Sequence, residues 1–365
     1  MSKTVFEPAR ETAVTGSDTP AISCRNVWQV FGDTTGSALK QALSQHASAD
    51  EVSAALRAQG LVPAVQDANF DVKEGELFVI MGLSGSGKST LIRCISQLLP
   101  ASYGEIRIEG EDIVSASKAR LIELRRKTLG MVFQHFGLFP HMTVADNVAY
   151  PLKVQGVKRK IRRAKAQEVI NLVGLEGRED RYPRELSGGQ RQRVGIARSL
   201  VADCSVWFLD EPFSALDPLI RRQLQDEFLD IQAKLKTTIV FITHDINEAL
   251  KLADRIAIMR DGKIVQIGTP ADIVLNPVDD YVREFSKDVA KGRHANVASV
   301  MQSPDGNSYG VDDPGLRRDM TLDAALARCM DLYDPVPVRD SDGTLVGVIN
   351  PADLAAALQV ETDHV

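Results

Sequence analysis

The sequence predicts an α/β fold with a largely parallel central sheet. Three apolar runs, Leu77–Met81, Val206–Leu209 and Thr238–Thr243, have the length of strands and are too continuous to face water on either side. Helical periods separate these runs, as expected where helices connect parallel strands. Of the 365 residues, 44% are hydrophobic and 25% are charged, which is typical of a globular chain with a sizeable core.

The chain is expected to begin with a disordered tail, because residues 1–20 are polar and rich in Thr, Ser, Glu, Gly and Pro. The α/β domain is expected over residues 21–290. Its first elements are a strand that begins at Ala21, a polar helical segment from Gly32 to Pro63, and a strand from Val65 to Val72.

A further strand is expected at Leu129–Phe133, after which the strand signal disappears. Helical, charged sequence then predicts a helical subdomain at about residues 140–190. Within it, Lys153–Lys165 carries seven basic residues in thirteen. This run is typical of a solvated helix face, and a surface near anionic lipid headgroups is the alternative.

A small α+β domain is expected over residues 291–365. A stretch rich in Gly, Asp, Ser and Pro, typical of a linker, comes first. It is followed by a helix, a strand, a turn, a second strand and a second helix, with the sequences TLDAALARCM, VPVRD, SDG, LVGVI and PADLAAAL.

Charge and composition exclude several classes of protein. The 43 basic and 49 acidic residues give a net charge of −6, which argues against a general nucleic-acid binder. No apolar run approaches the ~18 residues needed to cross a bilayer, and the N-terminus lacks the apolar core of a signal peptide. An intracellular location is therefore expected. The four widely spaced cysteines match neither a zinc site nor a disulfide framework, which predicts buried, reduced thiols.

The segment after the first apolar strand matches the phosphate-binding pattern G-x-x-x-x-G-K-[ST] in full and precedes a helical run. Its glycines let backbone N–H groups surround a phosphate at the positive end of the helix. Lys88 would reach the β- and γ-phosphates, and the Ser89 hydroxyl would bind Mg²⁺. The predicted nucleotide-binding residues here are Gly82, Leu83, Ser84, Gly85, Ser86, Gly87, Lys88, Ser89 and Thr90.

A second element of the sequence, which is acidic, completes this chemistry. The apolar strand that begins at Val206 ends in Asp210 and Glu211. Asp210 would hold Mg²⁺, and Glu211 would polarise a water molecule for attack on the γ-phosphate. Together with the phosphate loop, the Asp210–Glu211 pair predicts a nucleoside triphosphatase.

The sequence LSGGQ, which ends 20 residues before Asp210, looks like the signature of ATP-binding cassette (ABC) ATPases. Further matches are Gln134 in MVFQ (the Q-loop), residues 214–217 (SALD, the D-loop) and His244 in ITHD (the H-loop). The resemblance covers roughly residues 21–285, about three-quarters of the chain.

The resemblance implies a P-loop NTPase fold and a head-to-tail homodimer that encloses two ATP molecules with Mg²⁺. It implies that Glu211, His244 and Gln134 act in catalysis, and that Ser89, Asp210 and Gln134 bind the metal. Phe31 matches the aromatic position that stacks on adenine, with Trp28 as the competing candidate. Further nucleotide contacts would come from the signature and the D-loop, at Ser187, Gly188, Gly189, Gln190 and Asp217.

The resemblance also narrows the type of ABC protein. Only 99 residues separate Lys88 from Ser187, which leaves no room for the long coiled coil of chromosome-maintenance ATPases. One nucleotide-binding set and the absence of a membrane span resemble the separate ATPase subunit of an importer. Such a subunit works at the cytoplasmic face of the inner membrane, bound to a permease that receives cargo from a periplasmic or lipid-anchored solute-binding protein. His135–Pro151 resembles the region that meets the permease, and no nucleic-acid partner is expected.

More detailed sequence similarity indicates which cargo the importer carries. The helical insertion after Phe31 and the phrases VIMGLSGSGKST and EPFSALDPLIR are similar to glycine betaine/proline-type importers. The implied cargo is glycine betaine, proline betaine, choline or carnitine. Alternatives are another small polar solute such as an amino acid, or a soluble ABC ATPase that acts on nucleic acid or ribosomes. A phosphate-loop kinase would leave LSGGQ and the H-loop unexplained.

Residues 297–358 resemble a cystathionine-β-synthase (CBS) motif. In the glycine betaine/proline-type importers, two such motifs pair into a regulatory module that senses ionic strength or nucleotides. Only one motif is clear in this chain, so regulation and a structural dimerisation tail both stay open.

Overall fold

The computed structural model describes residues 19–132, 137–214, 216–287, 289, 291–304, 315–329 and 334–358. The described residues form thirteen strands: β1 (Ile22–Phe31), β2 (Val62–Val72), β3 (Leu77–Met81), β4 (Tyr103–Ile108), β5 (Glu111–Asp112), β6 (Leu129–Val132), β7 (Val206–Asp210), β8 (Thr238–Thr243), β9 (Arg255–Arg260), β10 (Lys263–Gly268), β11 (Leu316–Arg317), β12 (Val336–Arg339) and β13 (Leu345–Ile349). They also form fourteen α-helices: α1 (Ser37–Gln45), α2 (Ala49–Ala58), α3 (Lys88–Ile95), α4 (Lys118–Lys127), α5 (Val144–Val154), α6 (Arg159–Leu172), α7 (Gly188–Leu200), α8 (Pro218–Leu235), α9 (Ile246–Leu252), α10 (Pro270–Leu275), α11 (Asp280–Ser286), α12 (Lys291–His294), α13 (Leu322–Cys329) and α14 (Pro351–Leu358).

The central sheet has the strand order β10-β9-β3-β8-β7-β6. Its neighbours are parallel except for the β9–β10 pair, which is antiparallel. Every residue of β3, β7 and β8 is buried, because helices and the second sheet cover both faces. The prediction of a largely parallel sheet with covered central strands is confirmed.

A second, antiparallel sheet has the order β2-β1-β4-β5. Its buried side chains, with those of α3, pack against one face of the central sheet. The sequence reasoning predicted β1 and β2 but neither their separation into a second sheet nor the strands β4 and β5. The ladder partners of β1 lie about 40 and 80 residues away along the chain, so no local pattern reveals this pairing.

The polar segment between β1 and β2 forms α1 and α2, as predicted. Ser48 and Glu51 make a reciprocal capping box at the start of α2. The two helices pack on β1 through a small apolar cluster that contains Trp28, Leu39 and Leu56. This cluster holds the insertion against the strand that ends at Phe31.

Helices α5 and α6 and the start of α7 occupy the region where a helical subdomain is expected. The fully buried Asn147 holds the loop before α5 in place. Its side-chain amide donates to the carbonyl oxygens of Phe139, Met142 and Thr143, and its carbonyl oxygen accepts from the Phe139 N–H. The part of His135–Pro151 that lies just before α5 is therefore tied to that helix by Asn147.

The C-terminal residues form the predicted helix, two strands and helix as α13, β12, β13 and α14, and β11 pairs parallel to β12. Their apolar side chains make a separate cluster, against which Ala271 and Leu275 of α10 pack. This extra unit exists as expected, whereas its boundary near residue 290 and its CBS identity stay predictions.

The four cysteines are buried and unbonded to one another. Among the described helices, none is both long enough and apolar enough to cross a bilayer. The expected disorder concerns a tail of which residues 1–18 lie outside the described residues.

Candidate functional site

Three neighbouring parallel strands end at one edge of the central sheet, and each leads into a predicted site residue. Strand β3 leads into the phosphate loop, β7 ends at Asp210, and β8 leads into His244. The pairing register places Met81 beside Thr243, and Asp210 beside Ile242. The sheet therefore brings together residues as far apart in the sequence as Gly82 and His244, which are separated by 162 positions.

The phosphate loop needs glycine at two positions for steric reasons. Gly82 and Gly87 have φ of 153° and 100°, in the region that side chains rarely adopt. A Cβ at Gly82 would lie 2.2 Å from the carbonyl oxygen of Met259, and one at Gly87 would lie 2.3 Å from that of Ala64. Gly87 immediately precedes α3, so the backbone N–H groups of the loop lie at the positive N-terminal end of that helix.

The Lys88 ammonium is buried inside the loop. Its Nζ donates to the carbonyl oxygens of Gly82 at 2.7 Å and Leu83 at 3.0 Å. Burial lowers the pKa of Lys88, and the nearby carboxylates of Glu211 and Asp210 oppose that change. A bound phosphate would supply the negative charge that stabilises this buried cation.

Ser89 and Asp210 form an oxygen pair beside the loop. The Ser89 hydroxyl donates to Asp210 Oδ1 at 3.1 Å, and burial raises the pKa of Asp210. Two hard oxygen ligands next to a phosphate site suit Mg²⁺, which takes its other ligands from phosphate and water. Gln134, the third predicted metal ligand, lies outside the described residues.

Glu211 occupies a strained position directly after β7. Its φ is 46°, a left-handed conformation that is costly for a residue with a side chain. Its backbone N–H donates to the carbonyl oxygen of Ile242, and its Oε2 lies 3.1 Å from His244 Nδ1. The Glu211 side chain is 18% exposed and the His244 ring is largely exposed, so the pair borders solvent at the sheet edge.

The two aromatic candidates for the predicted adenine contact differ in exposure. Trp28 is only 2% exposed and lies in the cluster beneath α1 and α2, whereas Phe31 is 43% exposed. Phe31 pairs across the sheet with Val62, which is 58% exposed. The two side chains make an apolar platform suited to a base. The sequence does not single out Val62, because only the β1–β2 register places it beside Phe31.

The signature and the D-loop lie next to each other in space within a single copy of the chain. Ser187 caps α7 and forms a capping box with Gln190, while Asp217 caps α8 by accepting the Ile220 N–H. A Cβ at Gly189 would lie 2.8 Å from Ile220 Cγ2. The close packing of α7 against α8 thus explains this glycine even without a ligand.

Residues 65–214 match the family model described as ABC transporter. The trimethylamine N-oxide transport system ATP-binding protein TmoW of Ruegeria pomeroyi is 52% identical over 336 residues, covering 91% of this chain and 95% of the relative. The chain belongs to the ATP-binding subunits of ABC transporters. This ABC subunit is therefore an ATPase, as its phosphate loop and acidic strand end predict.

The ABC subunit is also 44% identical over 338 residues to the glycine betaine transport ATP-binding protein OpuAA of Bacillus subtilis, covering 93% of this chain and 78% of the relative. Among solved structures it is similar to the dimeric post-hydrolysis state of the ATP-binding cassette MJ0796 bound to ADP and Pi. That similarity has a TM-score of 0.56 and 30% identity, and covers 68% of this chain and 98% of the other.

Proposed function

We propose that this ABC subunit drives the uptake of methylated-amine osmolytes through a separate membrane permease. The observation that carries the proposal is its similarity, over more than nine-tenths of its length, to transport subunits named for trimethylamine N-oxide and for glycine betaine. The proposed cargo is trimethylamine N-oxide or a quaternary ammonium compound such as glycine betaine, proline betaine, choline or carnitine. The permease and a solute-binding protein would recognise the cargo, while the subunit works at the cytoplasmic face of the inner membrane.

In the proposed mechanism, two copies close head to tail on two ATP molecules. Phe31 and Val62 hold adenine, and Lys88 exchanges its two carbonyl partners for the β- and γ-phosphates. Ser89 and Asp210 would hold Mg²⁺, which neutralises phosphate charge. Ser187 and Gly189 of one copy would face the γ-phosphate bound by the other.

Hydrolysis in this scheme depends on Glu211. Its carboxylate orients a water molecule in line with the γ-phosphate and accepts a proton from it. His244, 3.1 Å from that carboxylate, contacts the γ-phosphate side. Closure moves the segment after Gln134 and thereby the permease, and product release reopens the dimer.

Uptake by the reconstituted complex tests the cargo. The subunit and its permease are reconstituted in liposomes with the binding protein, and uptake is measured with ATP inside for labelled trimethylamine N-oxide, glycine betaine, choline and carnitine, and for glycine and proline as unmethylated amino acids. ATP-dependent uptake of one of the methylated solutes, absent with Glu211→Gln, supports the proposal. Uptake of unmethylated amino acids alone would contradict the proposed cargo.

We further propose that residues 291–365 regulate transport as a CBS-like unit. Support comes from their separate apolar cluster, which packs on α10 through Ala271 and Leu275. Deleting residues 291–365 is expected to preserve ATP hydrolysis and to change the dependence of uptake on salt concentration. An unchanged salt response, with a weakened dimer, would favour a dimerisation tail instead.

A further inference from the structure

The guanidinium of Arg221 connects two loops at the edge of the site. Arg221 lies in the first turn of α8, and its Nη2 donates to the carbonyl oxygen of Leu216, in the D-loop, at 3.0 Å. Its Nη1 lies 3.4 Å from Oδ2 of Asp245, the residue that follows His244. A single side chain thus contacts both the D-loop and the H-loop.

On the H-loop side, Asp245 is held from three directions. Its Oδ1 accepts the backbone N–H groups of Asn247 at 2.9 Å and Glu248 at 3.3 Å, which caps α9. Its own N–H donates to Thr243 Oγ1 at 3.0 Å. Because Asp245 is the direct neighbour of His244, its position constrains the backbone that carries the imidazole toward Glu211.

On the D-loop side, the partner of Arg221 is equally constrained. Leu216 is buried, and its N–H donates to the carbonyl oxygen of Phe213, two residues after Glu211. A Cβ at Gly188 of the signature would lie 3.6 Å from Leu216 Cδ2. A shift of the signature helix would therefore reach Leu216 and, through its carbonyl oxygen, Arg221.

Burial and geometry favour arginine at this position. The Arg221 side chain is 27% exposed and that of Asp245 is 33% exposed, so solvent screens the pair less than a fully exposed one. The two Nη groups of a planar fork reach two acceptors at once, which the single ammonium of lysine does less well. The neighbouring Arg222 is exposed and its Nε donates to Pro218 within the same helix, so it offers a matched control.

We propose that Arg221 is a positioning residue for ATP hydrolysis, which transmits the position of the D-loop to His244 through Asp245. The proposal rests on the roles assigned above to His244 and Glu211. In the closed dimer proposed above, Ser187 and Gly189 of the signature would face the other copy, and Leu216 of the D-loop lies next to the signature. Closure of the dimer would then shift Leu216, and Arg221 would transmit that shift to the loop that orients His244.

The test compares Arg221→Gln, Arg221→Lys and the control Arg222→Gln. Arg221→Gln is expected to lower kcat by about tenfold or more while the KM for ATP changes less than about twofold. Arg221→Lys should recover part of the loss, and Arg222→Gln should behave as the wild type. An unchanged kcat in Arg221→Gln would overturn the proposal, as would a loss matched by a general fall in thermal stability.

A double-mutant cycle identifies the partner. The substitution Asp245→Asn retains the capping capacity of the side chain but removes its charge. If Arg221 acts through Asp245, then Asp245→Asn lowers kcat, and adding Arg221→Gln lowers it little further. Fully additive losses would overturn the coupling. The variant Glu211→Gln separates this inference from the proposed mechanism. If Glu211→Gln hydrolyses ATP at the wild-type rate, the assigned catalytic roles are wrong. If Glu211→Gln loses activity and Arg221→Gln hydrolyses ATP at the wild-type rate, only the inference about Arg221 is wrong.

Discussion

Replacing Glu211 by glutamine removes the proposed general base with little change in shape. The side-chain amide still has an atom near His244 Nδ1, at the position where Oε2 now lies 3.1 Å away. Glutamate and glutamine bear the same cost for the left-handed backbone at this residue, where φ is 46°. The folded structure should therefore persist, while the proton-accepting carboxylate is lost.

The expected loss of activity follows from what a general base contributes. Positioned proton transfer is worth about 10²–10⁴-fold in rate, or roughly 3–5 kcal/mol of transition-state stabilisation. We expect kcat for ATP hydrolysis in Glu211→Gln to fall by that factor. The affinity for ATP should be retained or increased, because the substitution removes a negative charge beside the γ-phosphate.

Three measurements check this expectation: steady-state ATP hydrolysis, equilibrium binding of ATP, and light scattering to detect a dimer trapped by bound ATP. Glu109→Gln is the matched control, since Glu109 also has a left-handed backbone, with φ of 50°, but lies in the exposed turn between β4 and β5. Turnover in Glu211→Gln within about threefold of the wild type would refute the general-base role, because the remaining barrier change would be under about 1 kcal/mol.

Substitutions at three further positions test other parts of the structure. Phe31→Ala should weaken ATP binding by roughly 5- to 150-fold, the equivalent of about 1–3 kcal/mol of base stacking, whereas Phe31→Trp should retain it; a fluorescence titration that shows equal affinities would contradict the adenine platform. Phe228→Ala removes a buried ring that contacts Phe213 and Phe241, and should cost about 3–5 kcal/mol in denaturant unfolding of the nucleotide-free protein. Burial raises the pKa of Glu248, so the contribution of this residue to wild-type stability should be lost as the pH rises from the ordinary glutamate pKa through the raised value. Glu248→Gln lacks this titration. The thermal midpoint of Glu248→Gln relative to the wild type should therefore rise with pH over that window and stay constant below it; parallel profiles would contradict this.

Much of the candidate site could be predicted from the sequence, because its chemistry lies in short motifs. A strand, a glycine-rich loop and a helix are local features, and the acidic pair after β7 follows an apolar run in the same way. Parallel strands end at a common sheet edge, so Lys88, Asp210 and His244 could be expected to converge. The Ser89–Asp210 and Glu211–His244 contacts agree with that expectation.

Other features could not be predicted, since they depend on packing between distant segments. Whether Phe31 or Trp28 is exposed depends on where α1 and α2 pack, and Val62 joins Phe31 only through the register of β1 with β2. The second sheet likewise depends on pairing between strands far apart in the chain.

The sequence by itself determined the reaction: a phosphate loop, an acidic strand end and a signature in the right order make this chain an ABC ATPase. Only the tertiary structure decided which aromatic side chain is available to adenine and which side chain connects the D-loop to the H-loop. Arg221 reaches Asp245 because α8 packs beside α9, which brings together residues 24 positions apart without any sequence periodicity that relates them. Motifs specify the reacting groups, whereas the packing of helices specifies which other groups hold them in place.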